Sequence, residues 1–281
     1  MPLLKDYLDK FCPTVVSMAN LSNAEWQSIS DRFDARMNRI VEALDTTTSI
    51  GVQTTIYDLV LLADSGQKEG ISFLRFIERL SKDLIKDVPA RFHVRLRNSF
   101  VNLVSNFDDA RSGYLDPIGE FTALLSMVTE STLELKEIEA TLPSGKKADF
   151  CFVDSKGDRL VWVEVLNIHF QEGKIRTDND LLTFLSKRIE DKLQKKLHAL
   201  GCEAPNRIFA LLPVVWCELE DVQDRAEVIL RVKQKYRTLP ICLIAQTRSD
   251  SGEVGYRFTT MDHALRYSGT QSASDGSGGG T

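Results

Sequence analysis

The sequence predicts an all-α N-terminal domain followed by an α/β domain built on a mixed sheet, and three observations carry that prediction. Residues 22–107 place apolar side chains at helical spacing over several successive stretches. From residue 132 onward, short apolar runs bounded by turn residues alternate with helical patterns, as in strands connected through helices. Three of those runs, VWVEV, IFALL and ICLIA, are apolar on both parities, which suits strands covered on both faces.

The helical part opens with SNAEWQSISDRFDARMNRIVEAL (22–44), where a Ser/Asn cap precedes Trp26, Ile29, Phe33, Met37, Ile40, Val41 and Leu44 on one stripe. TTTSIG breaks it. TTIYDLVLLADSG (54–66) and EGISFLRFIERLSKDLIKDV (69–88) supply two more helices, the second stopped by Pro89, and RFHVRLRNSFVNLVSNF (91–107) a fourth. Their aromatic stripes read as the core of a bundle. DDARSGYLDP (108–117) is turn-rich, and DPIGEFTALLSMV (116–128) forms a short amphipathic helix. Three strands follow, TLELKEIEATL (132–142), ADFCFVD (148–154) and RLVWVEVLN (159–167), joined by PSGK and SKGD turns. Then come a helix at 178–200, a strand at 206–216, a helix at 219–236, a strand at 239–246 and an edge strand at 254–260. The tail SGTQSASDGSGGGT is small and polar and reads as disordered. Domain bounds follow as 1–110 (helical), 111–267 (α/β) and 268–281 (tail).

Composition excludes several functions. No apolar run approaches the ~20 residues that span a bilayer, so no membrane partner is expected, and the charged N-terminus MPLLKDYLDKF does not read as a secretory leader. The five cysteines form no CxxC pair, which points to reduced thiols in the cytoplasm and away from zinc. Residues 1–140 hold 15 basic and 21 acidic side chains, whereas 141–240 hold 17 and 15. A strongly basic nucleic-acid binder is thereby excluded, although a local basic rim around an acidic site is not. The acidic helical domain suits a protein partner. No phosphate-binding glycine loop or serine-hydrolase elbow is present.

The chemistry concentrates in GKKADFCFVDSKGDRLVWVEVLN (145–167). Asp149 shares a strand face with Cys151 and Val153, and Glu164 with Leu160, Trp162 and Leu166. In an antiparallel hairpin the start of one strand lies beside the end of the other, which brings the two acids together. Adjacent carboxylates repel and lose hydration, so a shared divalent cation explains the pair, and oxygen-only ligation favours Mg²⁺ or Mn²⁺. The alternative is a pair of strand-end acids that reach solvent or pair with Lys147 or Lys192. Lys147 is expected to be directed away from Asp149, while Asn167 and His169 are expected near the pocket mouth. The run KRIEDKLQKK (187–196) reads as a solvated helix face with Glu190 paired internally.

This order, an acidic helix, a strand, a strand with Asp, a strand with Glu, then helix and strand, resembles the PD-(D/E)xK nuclease superfamily over roughly residues 116–246. Ala148-Asp149 stands for the family's Pro-Asp, and Glu164-Val165-Leu166 for its ExK. The resemblance implies a restriction-endonuclease-like three-layered α/β core and metal-dependent phosphodiester hydrolysis of DNA or RNA. Asp149 and Glu164 would hold Mg²⁺ or Mn²⁺, with the carbonyl of Val165 and Glu120 on the preceding helix as further ligands. The family's lysine position is Leu166, which cannot supply a cation. Lys192, on the next helix three residues after Ile189, is expected to supply it instead. The alternative expectation is a catalytically inactive nuclease-fold protein acting as a protein- or nucleic-acid-binding module.

Overall fold

A computed structural model describes residues 3–44, 55–107, 113–154, 159–169, 177–200, 207–218, 225–236, 241–248 and 253–260. The chain divides into two compact units, Met1–Thr129 and Glu130–Thr281. The composition change expected near residue 110 and the tail at 268–281 lie outside the described residues.

The first unit is helical: α1 (Leu4–Phe11), α2 (Pro13–Ala19), α3 (Asn23–Leu44), α4 (Ile56–Asp64), α5 (Lys68–Asp87), α6 (His93–Ser105) and α7 (Leu115–Glu130), with a 3-10 turn at Ala90–Phe92. Much of the expected stripes is buried, with Trp26, Tyr57, Phe100 and Phe121 among the largest inaccessible side chains, whereas Val41, placed on the α3 stripe, is exposed. Thr55 and Asp58 close a reciprocal capping box at the start of α4. α1 and α2 are additions to the sequence reading. α2 starts on Pro13 and ends at Asn20 in the left-handed region (φ 46°), both ordinary helix boundaries. Its N-terminus is capped from α5, where the buried Glu78 carboxylate accepts from the Thr14 amide (3.1 Å) and hydroxyl (2.7 Å). A cap supplied from 64 residues away leaves no local signal.

The second unit holds one six-stranded mixed sheet in the order β1 (Leu133–Thr141), β2 (Lys147–Asp154), β3 (Arg159–His169), β4 (Arg207–Glu218), β5 (Cys242–Arg248), β6 (Val254–Thr260). β1, β2 and β3 pair antiparallel, β3, β4 and β5 parallel, and β6 returns antiparallel to β5. α8 (Asp178–Leu200) links β3 to β4, and α9 (Ala226–Lys235) lies between β4 and β5. Leu181, Leu185 and Ile189 of α8 and Val228, Ile229 and Val232 of α9 share one core with Leu166, Ile168, Leu211, Val215 and Leu243. Both helices therefore cover the same sheet face, as successive crossovers in one direction require. The opposite face carries Phe150, Phe152, Val161, Val163, Val165, Leu212 and Val214, all buried, which explains the apolar character of both parities.

Candidate functional site

Strand alternation on β3 sets up the site. Leu160, Trp162, Glu164, Leu166 and Ile168 point to the face covered by α8 and α9. Trp162 belongs to a small cluster with Ala140, Leu142, Ala148 and Cys151, whereas Leu166 and Ile168 belong to the main core. Glu164 is the charged residue between these two apolar groups, and only 3% of it is exposed. A carboxylate there needs compensation.

Two lysines provide it. Lys192 Nζ lies 2.6 Å from Glu164 Oε1, and Lys196 Nζ lies 2.8 Å from Oε2. The reach follows from the packing of α8 along β3. Ile189 shares the core of Leu166; Glu164 is two residues, roughly 6.6 Å, back along the strand. On α8, Lys192 and Lys196 lie about 4.5 and 10.5 Å of helix rise beyond Ile189, so they bracket the carboxylate. The ion pair at Oε2 lacks hydrogen-bond directionality, and that buried oxygen has no hydrogen-bond partner. Lys196 Nζ donates instead to the carbonyl oxygen of Lys147 at 2.6 Å.

Asp149 completes the group. β2 and β3 pair with Phe150 opposite Val163 and Cys151 opposite Trp162, so one further step in that register sets Asp149 against Glu164. Asp149 is half-buried, and its Oδ2 accepts the Val165 amide proton at 2.6 Å. Burial pushes the Asp149 carboxyl up to about 7, and the Glu164 charge adds to that shift. The Val165 amide, Lys192 and Lys196 act against it without restoring an ordinary aspartate. Level with Asp149 on the other side, Glu139 of β1 has φ 56°, a left-handed conformation unusual for a non-glycine residue within a strand.

The predicted residues therefore fall into three groups. Asp149, Glu164, Val165 and Lys192 stand together in the second unit. Glu120 is half-buried on α7 in the first unit. Asn167 and His169 do not join the acids, because odd-numbered β3 residues face the other side of the sheet. Asn167 Oδ1 accepts from the Trp216 indole (3.2 Å), and the His169 ring stacks on Trp216 with centroids 5.5 Å apart. Lys147 was expected to be directed away from Asp149, yet residues two apart share a strand parity. Its ammonium goes to Glu139 at 2.9 Å, and its carbonyl serves Lys196. Glu190 is paired not within α8 but with Lys235 (2.7 Å) and the Tyr236 hydroxyl (2.9 Å) beyond it. Lys196 was read as part of a solvated face; its spacing of four from Lys192 is the signal that would have placed it in the site.

Among the described residues, no three His, Cys, Asp or Glu side chains converge as a metal-ligating group. A cation here would rest on two carboxylates, a main-chain carbonyl and non-protein oxygens. That is a donor set suited to Mg²⁺, which keeps much of its water. The buried Oε2 of Glu164, which has no hydrogen-bond partner, and the neighbouring Asp149 carboxylate fit such an ion. No helix of the described residues is long and apolar enough to cross a membrane. Comparison with protein-family models, curated proteins and solved structures found no match.

Proposed function

We propose that the second unit is a divergent PD-(D/E)xK-type nuclease domain that hydrolyses phosphodiesters with Mg²⁺ or Mn²⁺. The observation that carries the reading is the Asp149–Glu164 pair, two enclosed carboxylates on adjacent strands with two lysines beside them. Strand order supports it as well: an antiparallel hairpin bearing both acids leads into a parallel β3–β4 crossover through the helix that bears the cation. A restriction-endonuclease-like core is the finer reading of this mixed sheet.

Asp149 and Glu164 would hold the cation, with the Val165 carbonyl as a further oxygen. When bound, the ion polarises the phosphate and lowers the pKa of the attacking water. Lys192 replaces the lysine that Leu166 lacks. Its ammonium, already at the Glu164 carboxylate and 30% exposed at the side chain, offsets the charge that grows on the phosphate oxygens. The Val165 amide fixes the Asp149 carboxylate, so the acid needs no rearrangement to meet its ligand.

The decisive experiment is cleavage of plasmid, single-stranded DNA and RNA with Mg²⁺ or Mn²⁺ by the full chain and by Glu164→Gln and Lys192→Met. Cleavage is expected to fall about a hundredfold or more in each variant. A folded wild type that cleaves none of the three would sink the nuclease reading for them. A second reading has its own observation: both Glu164 oxygens already face ammonium groups, as in a structural ion-pair cluster. That favours a nuclease-fold binding module without catalysis, which would show neither cleavage nor Mn²⁺ uptake dependent on Asp149.

A further inference from the structure

Lys192 and Lys196 are not equivalent. Lys192 meets Oε1 and keeps 30% of its side chain exposed, as befits a group that faces substrate. Lys196 is more enclosed, with 18% exposed, and its ammonium contacts a carboxylate oxygen and a main-chain carbonyl. Asp149 also feels its charge. Carboxylate and carbonyl oxygens around one positive centre are the surroundings a hard divalent cation selects. Lys196 Nζ stands 2.8 Å from Oε2, a buried oxygen with no hydrogen-bond partner. Lys196 also ties three elements together, joining α8 to β3 through Glu164 and to the start of β2 through Lys147.

Resting on the metal-site reading above, we infer that Lys196 is a built-in counter-ion that neutralises Glu164 in the metal-free protein and must withdraw when a divalent cation enters. Two positive centres cannot share Oε2 closely without strong repulsion. The side chain of Lys196 is long and partly exposed, so it can leave by rotation alone. Without it, the buried Glu164 would have only Lys192 to offset its charge while the site is empty. The site is thus held together without metal, and metal affinity is set by competition with an internal amine. Once withdrawn, the ammonium stands at the rim of the site, where a substrate phosphate would arrive.

Amine labelling of the full-length wild type tests this directly, with acetylation at each lysine read by mass spectrometry with and without saturating Mn²⁺. Lys196 labelling should rise severalfold with Mn²⁺. Lys235, whose ion pair with Glu190 is exposed, should not change. Calorimetric Mn²⁺ titration gives a second readout: Lys196→Met should bind Mn²⁺ about tenfold tighter than wild type, and melt at a lower temperature than wild type when metal-free. Unchanged Lys196 labelling at saturation overturns the inference, as does equal or weaker Mn²⁺ binding by folded Lys196→Met. Either result, with wild-type Mn²⁺ binding still lost in Asp149→Asn, would leave the metal site standing and remove only the competition. No Mn²⁺ uptake by wild type or Lys196→Met would overturn both.

Discussion

Glu164 is 3% exposed and faces two ammonium groups, so Glu164→Gln leaves Lys192 and Lys196 without their anion inside the fold. Both lysines keep some access to water, which limits the penalty. The expected loss is about 2 kcal/mol, below the usual range for breaking a fully buried pair; urea unfolding with an unchanged slope would measure it. Whereas a carboxylate paired with ammonium groups usually shifts downward, burial shifts the Asp149 carboxyl upward. Its ordinary value is 3.8 and its folded value about 7. Between those values the folded protein keeps a proton that the unfolded chain has released. The stability linked to this group therefore falls as pH rises from about 4 to about 7. Metal-free wild type should lose Tm relative to Asp149→Asn across that interval, and parallel Tm curves for the two proteins would contradict the assignment. Asp149 and Glu164 were legible in the sequence because strand parity and hairpin pairing are local rules. Asn167 and His169 lie away from the acids because β3 runs on to His169 and strand parity holds to its end.

Elements explain why position 166 is a leucine. Leu166 shares the core of Leu181, Leu185 and Ile189 on α8, and 7% of it is exposed. Leu166→Lys would bury an ammonium among aliphatic side chains. The expected outcome is destabilisation of about 3 kcal/mol or more by chemical denaturation, with no gain in cleavage. A folded, more active Leu166→Lys would show that the core has room for the charge. In the first unit, α4 and α5 approach closely at Gly70, where an added Cβ would meet Ala63 N and Leu59 O at 2.9 Å. These are backbone atoms and cannot step aside. Gly70→Ala should therefore cost about 2 kcal/mol, as overpacking does, despite alanine's better helix propensity; a raised Tm would refute this. The longer helices and all six strands were readable from period and turns. α1 and α2 were not, since helices of eight and seven residues are too short for their period to stand out.

For the whole molecule, charge is the property that bears on partners. The net charge is −5, and the acidic excess lies in residues 1–140. Near the site, Lys192 and Lys196 are accompanied on α8 by exposed Lys187, Arg188 and Lys195. That number of cations can neutralise only a few phosphates. Binding of DNA by the full chain should weaken with salt along a log–log slope no steeper than about −4. Fluorescence anisotropy between low and moderate salt measures it, and a much steeper slope would mean that cations beyond these five meet phosphate.

The sequence by itself determined the helical first part, the alternation of strands and helices after it, and the pairing of Asp149 with Glu164. Each depends on periods and turns contained within a few dozen residues. Tertiary structure decided the rest. Leu166 became core, Lys192 and Lys196 came to one carboxylate, and Asn167 and His169 went to the far face. The physical reason is that α8 packs along β3 on the face carrying Glu164 and Leu166. Which α8 residue meets which strand residue is set by how the two elements lie against each other, and neither segment encodes that alone.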